Sequence, residues 1–131
     1  MRDNEKYTPT LPTEHEEQSA LFDWARWMEK QHPELKLLHA IPNGGHRTPR
    51  TAAMLQREGV KAGVPDICLP VPNGECKGLY IELKRRKRWK VSPEQLWWME
   101  SLTRQGYMAA LCFGWDMARE TICKYLGIEE E

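Results

Sequence analysis

Residues 64–84 read VPDICLPVPNGECKGLYIELK. Two apolar runs, Val64 to Leu69 and Leu79 to Lys84, flank the turn residues Pro72-Asn73-Gly74, which predicts a β-hairpin. Successive side chains on a strand alternate faces, so Glu82 and Lys84 share one face while Ile81 and Leu83 share the other. Asp66 stands near the start of the first strand, and hairpin pairing carries that strand alongside Glu82. Carboxylates a few ångströms apart repel one another, and a hard divalent cation between them relieves the repulsion. Asp66, Glu82 and the backbone carbonyl of Ile81 or Leu83, with Leu83 taken as the ligand, would supply part of an octahedral oxygen shell for Mg²⁺ or Mn²⁺. Such an ion lowers the pKa of water and stabilises the oxyanion formed when water attacks a phosphodiester. Lys84, on the same face, is placed to orient or help deprotonate the nucleophile.

Upstream of this hairpin, Thr13 with Glu16 makes a capping box for a first helix that Pro33 closes near Gln31. On a helical wheel with Glu17 at zero, Leu21 falls near +40°, Trp24 near −20°, Met28 near +20° and Ala20 near −60°, taking ~100° per residue. Glu17 therefore lies at the centre of the apolar stripe, where a carboxylate is costly unless a cation or donor meets it. Glu17 is taken to face a site, with Glu14, near +60°, as the alternative. A short strand from Leu35 to Ile41, the loop Asn43-Gly44-Gly45-His46-Arg47 and a helix from Thr48 to Glu58 follow. Downstream, Ser92-Pro93-Glu94-Gln95 opens a helix running to about Gln105, with Gln95 pointing with the apolar face. A strand from Tyr107 to Phe113 and a helix from about Asp116 to Tyr125 complete the order α-β-α-β-β-α-β-α, an α/β fold with a mixed four-stranded sheet flanked by helices.

The chain has 131 residues, 40% hydrophobic and 29% charged, which suits one folded domain over residues 13–128 and excludes a disordered or collagen-like chain. Residues 1–12 read as a flexible N-terminal segment and 129–131 as an acidic tail. Nothing approaches the roughly 18 apolar residues of a membrane span, and the polar N-terminus lacks secretory order, so the expectation is a cytoplasmic protein without a membrane partner. Cys68, Cys76, Cys112 and Cys123 follow no metal or redox spacing and are expected to be reduced. The net charge is zero, yet Gly44 to Lys90 holds eleven Lys/Arg against four acids while the remainder holds eight against fifteen. The positive half includes Lys84-Arg85-Arg86-Lys87-Arg88-Trp89-Lys90, cations around an aromatic ring, suited to phosphate contact with base or sugar stacking.

The string Gly59-Val60-Lys61-Ala62-Gly63-Val64-Pro65-Asp66, the hairpin, Ile81-Glu82-Leu83-Lys84 and then Ser92-Pro93-Glu94-Gln95 resembles the PD-(D/E)xK nuclease superfamily. More narrowly it resembles the virus-type replication-repair nuclease domain, VRR-NUC, over about Thr13 to Phe113. The resemblance implies a restriction-endonuclease-like core, Asp66 and Glu82 as metal ligands and Lys84 as the catalytic lysine. It also implies site roles for a first-helix glutamate, carried to Glu17, and for Gln95. Arg47, Lys61, Arg85, Arg86, Lys87, Arg88, Trp89 and Lys90 become the expected DNA contacts. The expected activity is a Mg²⁺- or Mn²⁺-dependent, structure-selective endodeoxyribonuclease acting on branched DNA, four-way junctions or flaps. Stand-alone members resemble Holliday-junction resolvases, so a homodimer, bacterial or phage-encoded, is expected, with Trp97 at its interface. A monomeric flap nuclease or nickase of the same fold, or a non-catalytic DNA-binding module, are the rival readings.

Overall fold

The computed structural model describes residues 10–42 and 47–130. Most of the expected N-terminal segment, residues 43–46 of the glycine loop and Glu131 of the acidic tail lie outside the described residues. Helix α1 (Glu14–Met28) begins at its capping box, where Thr13 Oγ1 accepts from the Glu16 N–H at 3.1 Å and Glu16 Oε1 from the Thr13 N–H at 2.9 Å. Its buried stripe is Glu17, Leu21, Ala25 and Met28. The strand expected over Leu35–Ile41 is replaced by a 3₁₀ turn, Pro33–Leu37, and a two-residue strand β1, His39–Ala40. The reason lies in spacing: Leu35 and Leu38 are both buried while Lys36 and Leu37 are exposed, and a three-residue repeat suits a 3₁₀ turn rather than an alternating strand.

Helix α2 (Pro49–Arg57) is capped by Thr48 and buries none of its residues. The hairpin follows as β2 (Ile67–Leu69) and β3 (Leu79–Lys84), antiparallel, with Ile67 opposite Ile81. The Asn73 carboxamide oxygen accepts from the N–H groups of Glu75 and Cys76, which fixes the turn. Helix α3 (Pro93–Arg104) then connects β3 to β4 (Met108–Phe113), which runs parallel to β3, and α4 (Trp115–Leu126) ends the fold. The sheet order is β1-β2-β3-β4.

The alternation read from β3 governs the layers. Leu79, Ile81 and Leu83 enter a core with Leu21, Ala25 and Met28 of α1 and Ala118, Ile122 and Tyr125 of α4. Each fully buried Leu or Ile in that core is worth roughly 1.5–3 kcal/mol of apolar transfer. The opposite face of β3 carries Tyr80, Glu82 and Lys84, and Glu82 and Lys84 meet Gln95 of α3. Two ionisable groups are thus interior, between sheet and helix. Glu130 is held against the fold: it accepts from Trp24 Nε1 at 2.9 Å and from Cys123 Sγ, and lies 3.6 Å from Arg119. Burial and Glu130 push the Cys123 thiol up to about 12, and all four cysteines are free. Among the described residues no helix is long and apolar enough to cross a membrane.

Candidate active site

Asp66 sits one residue before β2, where backbone pairing with β3 has ended. Its carboxylate substitutes for the missing strand: Oδ2 accepts from the Leu83 N–H at 2.8 Å. Glu82, 2% exposed, accepts from Gln95 Nε2 at 3.1 Å through Oε2, which also lies 3.4 Å from Lys84 Nζ. Lys84, buried as well, donates to Gln95 Oε1 at 3.1 Å. The same Oε1 accepts from the Ser92 N–H at 2.9 Å and Ser92 Oγ caps the Gln95 N–H, a second capping box. Gln95 therefore closes the helix terminus and bridges Glu82 to Lys84. Its neighbours fix the amide orientation, since two donors meet Oε1 and a carboxylate meets Nε2.

These groups open on a cavity of about 220 Å³ lined by Glu14, Asp66, Glu82, Ser92, Glu94, Gln95 and the segment Ala62–Val64. Gly63 makes that wall possible. It has φ +91°, and a Cβ there would stand 2.6 Å from the Glu94 carbonyl carbon, so the segment leading to Asp66 and the start of α3 touch through a missing side chain. A larger cavity of about 580 Å³ lies between α1 and the 3₁₀ turn and contains none of the candidate site residues.

Burial pushes the Asp66 carboxyl above the usual carboxylate range, held back by the Leu83 N–H. Burial, and then the neighbouring Asp66, push Glu82 up to about 8, against the pull of Lys84. Glu82 Oε1 is buried and meets no N–H or hydroxyl donor, its neighbour being the Asp66 carboxyl. Two adjacent acids that resist ionising, one with an oxygen in low dielectric that meets no such donor, form a donor set that a hard cation fits. Among the described residues no three His, Cys, Asp or Glu side chains converge on one point. A cation here would thus take two carboxylates from the protein, leaving positions for carbonyl, water and substrate oxygens.

The structure brings Asp66, Glu82, Lys84 and Gln95 together, and it separates Glu17 from them. Glu17 is buried as the wheel requires, but Oε2 accepts from Arg86 Nε at 3.0 Å and Oε1 from the Trp115 N–H at the start of α4, also at 3.0 Å. A guanidinium and a helix N-terminus satisfy that carboxylate, and Glu14, exposed, is the α1 glutamate on the cavity wall. Centrality in the apolar stripe marks burial, whereas a group meant for a wet cavity sits at the stripe's edge, which is where +60° puts Glu14. Arg86, an expected DNA contact, is exposed on one side and spends its guanidinium on two carboxylates, since it also lies 2.9 Å from Asp116. Arg47, Lys61, Lys87, Arg88 and Lys90 are exposed, and Arg85 is half-buried. Trp89 packs on Phe113 with ring centroids 4.8 Å apart and remains 47% exposed, leaving indole surface open to solvent.

A carboxylate pair beside a lysine and a glutamine, at the ends of paired strands in a mixed sheet, defines a nuclease of the PD-(D/E)xK type. The chain belongs to the VRR-NUC domain family, whose sequence model matches residues 4–115. A solved structure described as a VRR_NUC domain protein is similar to it, with 28% sequence identity and a TM-score of 0.76, covering 93% of this chain and 94% of that one. No curated protein gives a significant match.

Proposed function

We propose that this nuclease is a Mg²⁺- or Mn²⁺-dependent, structure-selective endodeoxyribonuclease that cuts branched DNA in the manner of a Holliday-junction resolvase, through a domain spanning residues 13–128. The observation that carries the reading is the buried Asp66–Glu82 pair, with Glu82 Oε1 met by no N–H or hydroxyl donor, set against Lys84 and Gln95. Asp66 and Glu82 would hold the cation. Leu83 supports a third oxygen: its N–H points to Asp66, and in extended backbone a residue's carbonyl leaves on the same edge as its N–H. A divalent cation bound there supplies Lewis acidity and positive charge for phosphodiester hydrolysis.

The chain's own groups do the rest. Lys84 stands beside the site with its ammonium held by Gln95, oriented to donate to the attacking water or to a phosphate oxygen. Gln95 keeps Glu82 Oε2 occupied, so the other oxygen is the one presented to the cation. Glu14, on the wall, is placed to accept a hydrogen bond from water at the site. Arg47, Lys61, Arg85, Lys87, Arg88 and Lys90, with Trp89, supply backbone and stacking contacts. The exposed Leu96 and Trp97 of α3 support a homodimer, whose two sites would make paired cuts across a four-way junction.

The test is cleavage of synthetic four-way junctions, flaps, nicked and linear duplexes with Mg²⁺, Mn²⁺ or EDTA, with Glu82→Ala and Lys84→Ala as controls. Paired symmetric nicks in the junction, abolished by EDTA and by either substitution, are expected. Cleavage that ignores EDTA and both substitutions refutes the proposal.

A further inference from the structure

The basic run after β3 is not uniform, and its members divide by what they touch. The Arg86 guanidinium is bonded by Glu17 and Asp116, and it rests on Gly114, where a Cβ would come within 2.9 Å of Cζ. The Gly114 N–H in turn donates to the Lys84 carbonyl at 2.9 Å. The chain leaving β3 is thereby fastened to α1 and α4 at one point. By contrast, among the described residues no carboxylate pairs with Arg85, Lys87 or Arg88, and these three line one cavity of about 280 Å³ with Thr10 and Leu11. Arg85 Nε is buried without a hydrogen-bond partner, an unsatisfied donor. Arg88 has φ +58°, a left-handed conformation that a residue of its size adopts at a cost, at the turn that brings it back beside Arg85.

We propose that Arg85, Lys87 and Arg88 form a seat for one phosphate group, apart from the scissile phosphate, and that Arg86 is the positioning residue that holds the seat open without touching DNA. The inference rests on the nuclease reading above. Three cations border one cavity, two of them planar forks of the kind that bind phosphate oxygens in pairs, and among the described residues no carboxylate pairs with them. The ligand chemistry is a phosphate, supplied either by a DNA backbone diester or by a terminal monoester. A seat differs measurably from a strip of independent contacts. Each phosphate neutralised contributes about 0.9 to the slope of log K against log salt.

The experiment measures equilibrium binding of a fluorescent four-way junction in EDTA across salt, for wild type and for the triple Arg85→Gln, Lys87→Gln, Arg88→Gln variant. One seat predicts binding weaker by about tenfold or more at low salt and a slope reduced by only about 0.9. Adding Arg86→Gln to the triple should leave the slope where it was. Because Arg86→Gln strands the buried Glu17, Arg86→Lys is measured beside it, with circular dichroism melts confirming that each variant is folded. Junction arms with 5′-phosphate or 5′-hydroxyl ends distinguish the sources: a slope change on both assigns the seat to a backbone diester, and one confined to phosphorylated ends assigns it to a terminal monoester. A triple variant whose slope falls by about 2.7 overturns the seat in favour of three independent contacts. A further loss of about 0.9 on adding Arg86→Gln overturns the tether. Wild-type protein that neither binds the junction nor cuts it with Mg²⁺ overturns the nuclease reading itself.

Discussion

Replacing Glu82 with glutamine in metal-free protein should stabilise it at neutral to alkaline pH, although Glu82 sits at the centre of the site. The carboxyl is 2% exposed and pushed up to about 8 by burial and by Asp66, against an ordinary 4.5 in the unfolded chain. Below about pH 4.5 both states are protonated and the site costs nothing. Between 4.5 and 8 the folded protein holds a proton that the unfolded chain has released, so stability falls as pH rises, and above 8 it levels off. At about 1.4 kcal/mol per pH unit the whole span is worth at most ~5 kcal/mol, and water entering the cavity would reduce this to a few kcal/mol. Glu82→Gln preserves the size of the side chain and an oxygen that can accept from Gln95 or Lys84, while removing the ionisation. Urea midpoints of both proteins in EDTA, at half-unit steps from pH 5 to 8.5, measure the difference. The curves should diverge with the variant above the wild type by a few kcal/mol at pH 8.5, and millimolar Mg²⁺ should raise only the wild type. Parallel curves in EDTA would refute the assignment of Glu82 as a carboxyl forced together with Asp66.

Other perturbations test other parts of the molecule. Arg86→Ala should destabilise by about 3 kcal/mol, and Glu17→Gln by less, in thermal or urea unfolding. Arg86 is 37% exposed and, left alone, can turn to water, whereas the Glu17 carboxylate cannot. Equal costs for the two would contradict a one-sidedly buried pair. Gly63→Ala places a methyl group against the Glu94 backbone at a positive φ, so it should cost roughly 2–3 kcal/mol and lower kcat by displacing Gln95 from Glu82. Full activity in that variant would show that the contact between the Asp66 segment and α3 is dispensable. Trp97, 60% exposed and set edge-on to Trp98, should be needed for dimerisation, so Trp97→Glu is expected to be monomeric by light scattering; a variant that stays dimeric removes this helix from the interface.

The sequence made the elements that decide the fold legible, because local signals and burial agreed. Thr13 and Ser92 cap as their spacing with Glu16 and Gln95 requires, and the hairpin turns at Asn73. It misled where one signal served two physical ends. Leu35 to Ile41 has a strand-like composition, but Leu35 and Leu38 both had to reach the core, and only a tighter turn delivers that. The helical wheel marks Glu17 as buried, which it is, but its partner, Arg86, lies 69 residues away in a run whose cations look interchangeable in one dimension. What sets Arg86 apart is Gly114, whose lack of a side chain admits the guanidinium, and Asp116 beyond it. Three segments distant in sequence converge there, and no local pattern announces it.

Gln95 couples the start of α3 to the geometry of the polar cluster beside it. The atom that accepts from the Ser92 N–H also holds the Lys84 ammonium, and the nitrogen beside it holds Glu82. Starting the helix and arming the site are consequently a single event: a chain in which α3 has not nucleated cannot align its lysine with its acid.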